Sequence, residues 1–188
     1  MDVFLGTVNK ILNKYIVDIK ELRQGEHIFN FDVDDSFFAE FKESEISRAK
    51  VVVDLNLQKH SNMLELYFNI EGVVEVVCDR CLDRFFIPIS YNGDVFIKIL
   101  DSISDEEKDD DVWYISSNES ELDLAHYIYE SICLSLPIQR FHGILGTLEE
   151  DCDKEMMKRL NELSVKDSDS EVIELDPRWE KLKDLLQN

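Results

Sequence analysis

Apolar and polar residues alternate over three long stretches in the middle of the chain, 51–58, 64–78 and 85–99. A period of two places every second side chain on the same face, which is typical of half-buried β-strands. Turns are predicted where the alternation stops. The pattern therefore predicts an antiparallel meander of long strands and not a parallel α/β sheet.

Glycine and proline predict local interruptions of this sheet. Gly72 predicts a bulge in the second long strand, and Asn92 with Gly93 predicts a turn or a bulge in the third. Pro88 has no N–H to donate, so it predicts an edge position or a break in the hydrogen-bond ladder. We therefore expect the regular strand pairing to be interrupted, or to be absent on one side, at each of these positions.

Shorter alternating stretches lie on either side of the meander. Residues 15–20 and 27–33 predict two further strands that form a hairpin or lie side by side. Residues 34–36 can cap a short helix, 37–41, whose aromatic side chains are predicted to close one end of the core. Beyond the third long stretch, 112–115 predicts one more short strand.

A helical period replaces the alternation after Ser120. Ser120 and Asp123 form a capping-box variant with Asp in place of Glu, and Pro137 ends the predicted helix. Its apolar stripe is Leu122, Ala125, Ile128, Tyr129 and Ile132. This helix is predicted to cover one face or one mouth of the sheet. We therefore expect an α+β fold: an antiparallel, strongly curled β-sheet (a barrel-like meander), one long covering helix and a C-terminal helical tail.

The composition changes after Gly146 and divides the chain into two predicted domains. Residues 1–146 are predicted to form the sheet-and-helix core, and 147–188 an acidic, partly flexible tail. Within the tail, 154–163 predicts a helix and 164–170 a flexible linker. A last, docking helix is predicted from the N-cap Asp176, from Pro177 in the first turn, and from the apolar residues Trp179, Leu182, Leu185 and Leu186.

The formal net charge of −21 limits the classes of partner. It argues against broad, non-specific adhesion to nucleic acid or to an anionic membrane surface, but it allows a small local basic site. The acid-rich stretches 101–111 and 149–155 predict either solvated loops or a surface that docks a basic partner. The sequence has no apolar run long enough to cross a membrane and no signal-peptide pattern. We therefore expect a cytoplasmic protein whose cysteines are reduced or metal-bound.

Cys78 and Cys81 form a Cys-x-x-Cys pair at a predicted strand–strand turn. Structural zinc sites take four nitrogen or sulfur ligands, and such a pair commonly supplies half of them. His142 and Cys152 are the candidates for the other half, which gives a site of three thiolates and one imidazole. A redox dithiol, which would need a helix N-terminus, and a plain turn with two reduced thiols are open alternatives. Cys133 is interpreted as a small apolar residue of the helix.

Arg80, Arg84 and Arg140 are candidates for contact with RNA or another partner. With His142 they could form a small positive spot suited to phosphate. The alternative is that each arginine pairs with one of the many acidic side chains. The sequence contains no glycine-rich phosphate loop, nucleophile elbow or His-x-x-x-His motif, so we expect no enzymatic activity.

A set of separated motifs runs in order from the Cys-x-x-Cys pair toward the end of the chain. The motifs are residues 72–82, Leu122-Asp123-Leu124, Tyr129-Glu130, Leu134-Ser135-Leu136-Pro137, His142, Cys152 and Asp176-Pro177-Arg178-Trp179 with Leu182. This ordered combination resembles the YceD-like family, named for the large ribosomal RNA subunit accumulation protein. The resemblance implies a small cytosolic, bacterial-type protein linked to accumulation of large-subunit ribosomal RNA, with no established enzymatic activity. Many relatives carry further cysteines where this chain has His142 and Cys152.

Three functions follow from these observations. The first is an accessory factor in large-subunit production that binds ribosomal RNA or a basic ribosomal protein, as the resemblance implies. The second is a protein whose Cys-x-x-Cys pair, as a zinc or thiol site, does redox or metal-sensing work. The third is an interaction module whose acidic tail and Trp179 helix recruit a partner.

Overall fold

β-Strands dominate the folded chain. The computed structural model describes residues 10–101, 112–148 and 151–164, and within these ranges it contains seven strands and three short α-helices. In chain order the elements are a 3₁₀ turn (Leu12–Tyr15), β1 (Ile16–Asp18), β2 (Gly25–Asp34), α1 (Asp35–Phe38), β3 (Ala49–Lys59), β4 (Met63–Val77), β5 (Arg84–Leu100), β6 (Val112–Ser116), β7 (Glu121–Asp123), α2 (Ala125–Leu134) and α3 (Lys154–Leu163). The chain divides into two compact units, Met1–Cys152 and Asp153–Asn188.

The larger sheet contains β2, β3, β4, β5 and β6, side by side in that order. The first four strands are antiparallel to their neighbours, and β3, β4 and β5 form the predicted meander, with Leu55 opposite Phe68 and Phe68 opposite Gly93. β6 lies parallel to the end of β5, with Val112 opposite Phe96. The sheet is therefore mixed, and the short strand predicted beyond the third long stretch is confirmed.

The prediction of a strongly curled, barrel-like sheet is wrong. β2 and β6 are the two outer strands, and they do not pair with each other in the described part of the chain. A meander becomes a barrel only when its first and last strands pair. Because the two outer strands of the described sheet do not pair, the sheet is open.

The prediction of one long covering helix is also wrong. Residues Glu121–Asp123 form β7, which pairs with β1 in a separate two-stranded sheet, and α2 has only ten residues. A helix of this length extends about 15 Å. Asp123 Oδ1 accepts the N–H of Ala125 at 2.9 Å, so it starts α2 from the strand instead of closing a capping box with Ser120. Leu122 is buried from a strand and not from the face of a helix.

β1 pairs with β7 and not with β2, so the predicted pairing of the two N-terminal strands is wrong. Tyr15 connects β1 to the larger sheet instead. Its hydroxyl donates to the main-chain carbonyl of Asp32 in β2 at 2.9 Å. Its ring packs edge-on against Phe37 of α1, with 4.7 Å between the centroids.

α1 spans Asp35–Phe38, so it begins two residues before the predicted start of this helix and ends three residues before its predicted end. Its N-cap is Asp34, whose side chain accepts the N–H of Ser36 at 2.9 Å. Phe37 and Phe38 are both buried, which confirms that the aromatic residues of this short helix close one part of the core.

Gly72 and Gly93 lie inside regular strands. The register runs through both, with Gly72 opposite Val51 and Gly93 opposite Phe68, so the predictions of a bulge or a turn are wrong. A Cβ atom at position 72 would lie 2.3 Å from the carbonyl oxygen of Lys50. Glycine is therefore required there by the close approach of β3 and not by an irregular backbone.

β5 is an edge strand over its first part. β6 pairs only with 96–100, so 84–95 has β4 on one side and no strand on the other within the described residues. Pro88 lies in this part, opposite Val73, which confirms the predicted edge position. A proline without an N–H is tolerated at such a position.

One face of the larger sheet carries most of the core. Its fully buried side chains include Val53, Leu55 and Leu57 of β3, Leu64, Leu66 and Ile70 of β4, and Ile87 and Ile97 of β5. α2 covers part of this face, because Tyr127 packs against Phe68 of β4 with 4.6 Å between ring centroids. The alternation continues along β4 to Cys78, so the strand delivers this cysteine to the core side at the end of the sheet.

The second unit contains α3, which confirms the helix predicted at 154–163. Asp153 is its N-cap and accepts the N–H of Met156 at 2.6 Å. Exposed ion pairs one turn apart, Arg159 with Glu155 among them, run along the helix. The predicted linker, apart from Ser164, and the predicted last helix lie outside the described residues, as does the acidic stretch after Asp101.

Candidate metal centre

The turn between β4 and β5, residues 78–83, is called the cysteine turn below. The N–H of Cys78 donates to the carbonyl of Asp83 at 2.8 Å, and the N–H of Leu82 donates to the carbonyl of Cys78 at 3.0 Å. Leu82 has a φ of 67°, in the left-handed region that favours glycine. This tight turn directs Cys78 and Cys81 inward, where they are 0% and 4% exposed.

Two hydrogen bonds join a distant segment of the chain to this turn, one between main-chain groups and one to a side-chain carboxylate. The N–H of Asp79 donates to the carbonyl of Arg140 at 2.6 Å, and the N–H of Arg140 donates to Asp79 Oδ2 at 2.6 Å. These bonds place His142 over Phe85 at the start of β5, with 4.3 Å between the ring centroids. The imidazole therefore lies beside the two cysteines.

The structure brings the four predicted ligands together as one buried group, the Cys3His cluster (Cys78, Cys81, His142 and Cys152). Their ligand atoms all lie within 4.8 Å of one another. His142 Nδ1 is 3.5 Å from Cys81 Sγ and 3.4 Å from Cys152 Sγ. A tetrahedral zinc ion with ordinary Zn–S and Zn–N bonds separates neighbouring ligand atoms by roughly 3.6 Å. The donor types and spacing therefore fit a tetrahedral metal ion.

The protonation of the cysteines differs within the cluster. Burial opposes ionisation of Cys78, but the main-chain N–H groups of Cys81, Arg80 and His142 stabilise its thiolate and lower its pKa to about 6. Burial and the neighbouring cysteines raise the pKa of Cys152 to about 12. The lowered pKa favours the thiolate form of Cys78. The raised pKa favours the thiol form of Cys152 in the protein without a metal. A divalent cation would offset the cost of deprotonating it.

The same geometry bears on the redox and plain-turn interpretations. Reactive dithiols need an accessible thiolate, but Cys78 is fully buried despite its lowered pKa. A plain turn would give no reason for His142 and Cys152 to converge on the pair. The arrangement is therefore better suited to holding a metal ion than to thiol exchange.

Cys133 lies apart from the cluster, on α2. It is half-buried, and burial is the main cause of its raised pKa. Its position agrees with the interpretation of a small apolar helix residue.

The three arginines predicted as a positive spot each have a partner within the protein. Arg84 Nη1 donates to Ser47 Oγ at 2.6 Å and lies 3.4 Å from a carboxylate oxygen of Glu75. Arg140 pairs with Glu45 at 2.8 Å. The guanidinium of Arg80 lies over the ring of Phe141, 3.9 Å from its centroid. The structure thus supports the alternative of acidic partners for Arg84 and Arg140.

Sequence reasoning missed the buried carboxylate beside the cysteine turn. Glu75 is only 6% exposed, and its two oxygens accept hydrogen bonds from Ser47, Arg48 and Arg84 at 3.0–3.4 Å. Nothing in the local pattern distinguishes it from an outward-facing strand residue. Asp79 was missed as well, since only its bonds to Arg140 reveal its role.

The sequence matches a protein-family model. The family model described as large ribosomal RNA subunit accumulation protein YceD matches residues 66–186, which is more than half of the sequence. The chain belongs to the YceD family. The matched region contains all four residues of the Cys3His cluster, and the family name indicates a role in accumulation of large-subunit ribosomal RNA. No curated protein and no solved structure gave a significant match.

Among the described residues of this YceD-family chain, no helix has the length and apolar character required to cross a bilayer.

Proposed function

We propose that this protein is a non-enzymatic, cytoplasmic accessory factor in the accumulation of large-subunit ribosomal RNA. It acts by binding ribosomal RNA or a ribosomal protein during production of the large subunit. Family membership supports the ribosomal role, since the family model covers residues 66–186. Binding without catalysis is supported by the cluster's four protein ligands, which would leave no coordination position for a substrate.

We further propose that the Cys3His cluster holds a structural zinc ion. The single observation that carries this proposal is the convergence of three sulfur atoms and one imidazole nitrogen within 4.8 Å in the protein interior. Such closed sites stabilise small folds, because the metal links segments that are distant in sequence. Here it would join the cysteine turn to His142 and Cys152 and fix the surface around them.

A basic ribosomal protein is the better supported of the two partners. The chain carries a formal net charge of −21, and two of its three candidate phosphate contacts, Arg84 and Arg140, already pair with carboxylates. Counterion release, which drives much of RNA binding, requires cations that are free to contact phosphate. An acidic protein attracts a basic protein without that requirement.

The alternative function is a protein-interaction module with a zinc or thiol site and no ribosomal role. The lowered pKa of Cys78 supports a thiol function. Metal analysis combined with thiol titration separates the two chemistries. One bound metal and no reactive thiol at positions 78 and 81 supports the structural site, whereas no metal and a rapidly reacting pair supports thiol chemistry.

The ribosomal role is tested in a strain that lacks this protein. We expect less large-subunit ribosomal RNA relative to small-subunit RNA, and fewer free large subunits and complete ribosomes in a sucrose gradient. Expression of the wild-type chain should restore both quantities, and Cys81→Ser should restore them poorly. A normal RNA ratio and a normal gradient in the deletion strain would contradict the proposed role.

A further inference from the structure

A groove with a volume of about 420 Å³ lies between α2 and the segment that joins α1 to β3. Its apolar wall is formed by Ile46, Tyr129, Leu136 and Pro137, and Ile138 stands at its margin. Arg140 lines the groove and is also bonded to Asp79 of the cysteine turn, but none of the lining residues is a member of the Cys3His cluster. The proposed metal site therefore does not explain the presence of this groove.

Large apolar side chains at the end of α2 are unusually exposed. Ile138 is fully exposed and Leu134 is 79% exposed. Single exposed apolar residues are common on protein surfaces, but several beside an apolar groove indicate a contact surface. Leu136 and Ile138 line the groove, and Leu134 precedes them in the chain by two and four residues.

The groove is surrounded mainly by acidic groups. Glu43 and Glu45 line it, and the carboxylates of Glu45 and Glu130 lie close enough to add to the effect of burial on the pKa of Cys133. The one arginine in the lining, Arg140, is already paired with Glu45. The groove also adjoins the C-terminal end of α2, where the helix dipole favours a cation. Its charge is thus complementary to a basic partner.

We propose that this acidic groove binds a basic segment of a large-subunit ribosomal protein. An aliphatic or aromatic side chain of the segment would contact the apolar wall, and a lysine or arginine side chain would approach Glu43, since Glu45 is already paired with Arg140. This inference rests on the proposed ribosomal function and specifies the partner class and the surface. RNA is disfavoured at this surface because phosphate would approach the same carboxylates.

Site-specific photo-crosslinking in cells tests the location and the partner together. A photoreactive amino acid replaces Ile138, and as a matched control it replaces Ile28, which is 70% exposed on the larger sheet. The expected result is a crosslink from position 138, and none from position 28, to a basic large-subunit ribosomal protein identified by mass spectrometry. A crosslink to RNA, an equal product from both positions, or no product from position 138 would overturn the inference.

Charge and apolar variants test the two parts of the groove in vitro. The probes are the RNA-free proteins extracted from purified large subunits and, separately, protein-free large-subunit RNA. Ile138→Asp and Glu43→Lys should each reduce retention of the basic ribosomal proteins about tenfold or more, whereas Ile28→Asp and Glu71→Lys should change it less than twofold. Equal loss in both pairs, or retention of RNA that falls with Ile138→Asp, would contradict a protein-binding groove.

The two proposals can fail separately. If the deletion strain shows the expected loss of large-subunit RNA and position 138 gives no crosslink, the acidic groove is not the contact surface but the ribosomal role stands. If the RNA ratio is normal in the deletion strain, the ribosomal role fails whatever position 138 contacts.

Discussion

A turn lies at each end of β4, and the two turns are held by different sets of contacts. The turn before it, at 60–62, is closed locally, because the N–H of His60 donates to the carbonyl of Met63 at 2.9 Å, and its Asn62 carbonyl continues the ladder to β5 by accepting the N–H of Ile99 at 2.9 Å. The cysteine turn after it is closed locally as well, but it is also held by partners 61 residues away, through Asp79 with Arg140 and Cys81 with His142. The two ends of one strand are therefore stabilised by different means.

This difference shows where the sheet depends on the rest of the chain. A local turn restricts few residues and contributes little beyond the strand pairing it permits. A metal ion held between the cysteine turn and His142, 61 residues away, would bind only the folded chain, so its binding free energy would add to stability and its loss would cost much more. The predictions below test this contrast, from the largest expected effect to the smallest.

The largest effect is expected from Cys81→Ser, which removes one of the four candidate ligands. The metal content should fall from roughly one ion per chain to near zero, because a structural zinc site needs four ligands. The free energy of unfolding should fall by at least about 3 kcal/mol, and Tm by about 6–12 °C for a chain of this size. Elemental analysis and thermal unfolding measure the two quantities.

Cys133→Ser is the matched control, because Cys133 is a cysteine outside the cluster. It should leave the metal content unchanged. Equal metal content in Cys81→Ser and the wild type would show that the cluster is not the binding site.

Asp79→Ala should have an intermediate effect. It removes the carboxylate that accepts the N–H of Arg140 at 2.6 Å, but it leaves all four ligands in place. We expect a loss of about 1–2 kcal/mol in the free energy of unfolding and faster release of metal to a chelator. Denaturant unfolding and a coloured chelator assay measure these changes.

Asp83→Ala is the comparison for this variant, because the cysteine turn uses the main-chain carbonyl of Asp83, which the substitution keeps. If both substitutions accelerate metal release equally, the bond between Asp79 and Arg140 does not hold the segment in place.

Leu82→Gly should stabilise the protein by about 0.5–1 kcal/mol, since glycine adopts a φ of 67° without the strain of a side chain. Little packing is lost, because Leu82 is 64% exposed. Leu148 is 63% exposed and does not have a positive φ, so Leu148→Gly should destabilise slightly. A lower Tm for Leu82→Gly than for the wild type would argue against strain in the turn.

The smallest effect is expected at the local turn before β4. Ser61→Ala changes an exposed residue of this turn and should alter the free energy of unfolding by no more than about 0.5 kcal/mol. Equilibrium unfolding in denaturant measures it. A loss as large as that of Cys81→Ser would remove the contrast between the two turns.

The local pattern of apolar and polar residues was sufficient to predict some elements of secondary structure, but it left others ambiguous. The three long strands follow from alternation, because a period of two is visible in a short window of sequence. Leu122 fits both the stripe of a helix and the inward face of a strand. It becomes part of β7 because β1, more than a hundred residues earlier, supplies the pairing partner. Gly72 is similarly ambiguous, since a bulge and a close approach of strands both require glycine.

The sequence by itself determined the meander, the Cys-x-x-Cys turn and the chemical types that could complete a metal site. Alternation and donor chemistry are properties of individual residues and of their near neighbours. Tertiary structure alone decided that His142 and Cys152 meet Cys78 and Cys81, that Glu75 is buried between arginines, and that the sheet ends in a parallel strand. These outcomes depend on how segments distant in sequence form hydrogen bonds between their main-chain groups and bury their apolar surfaces against each other. A local sequence pattern does not contain that information.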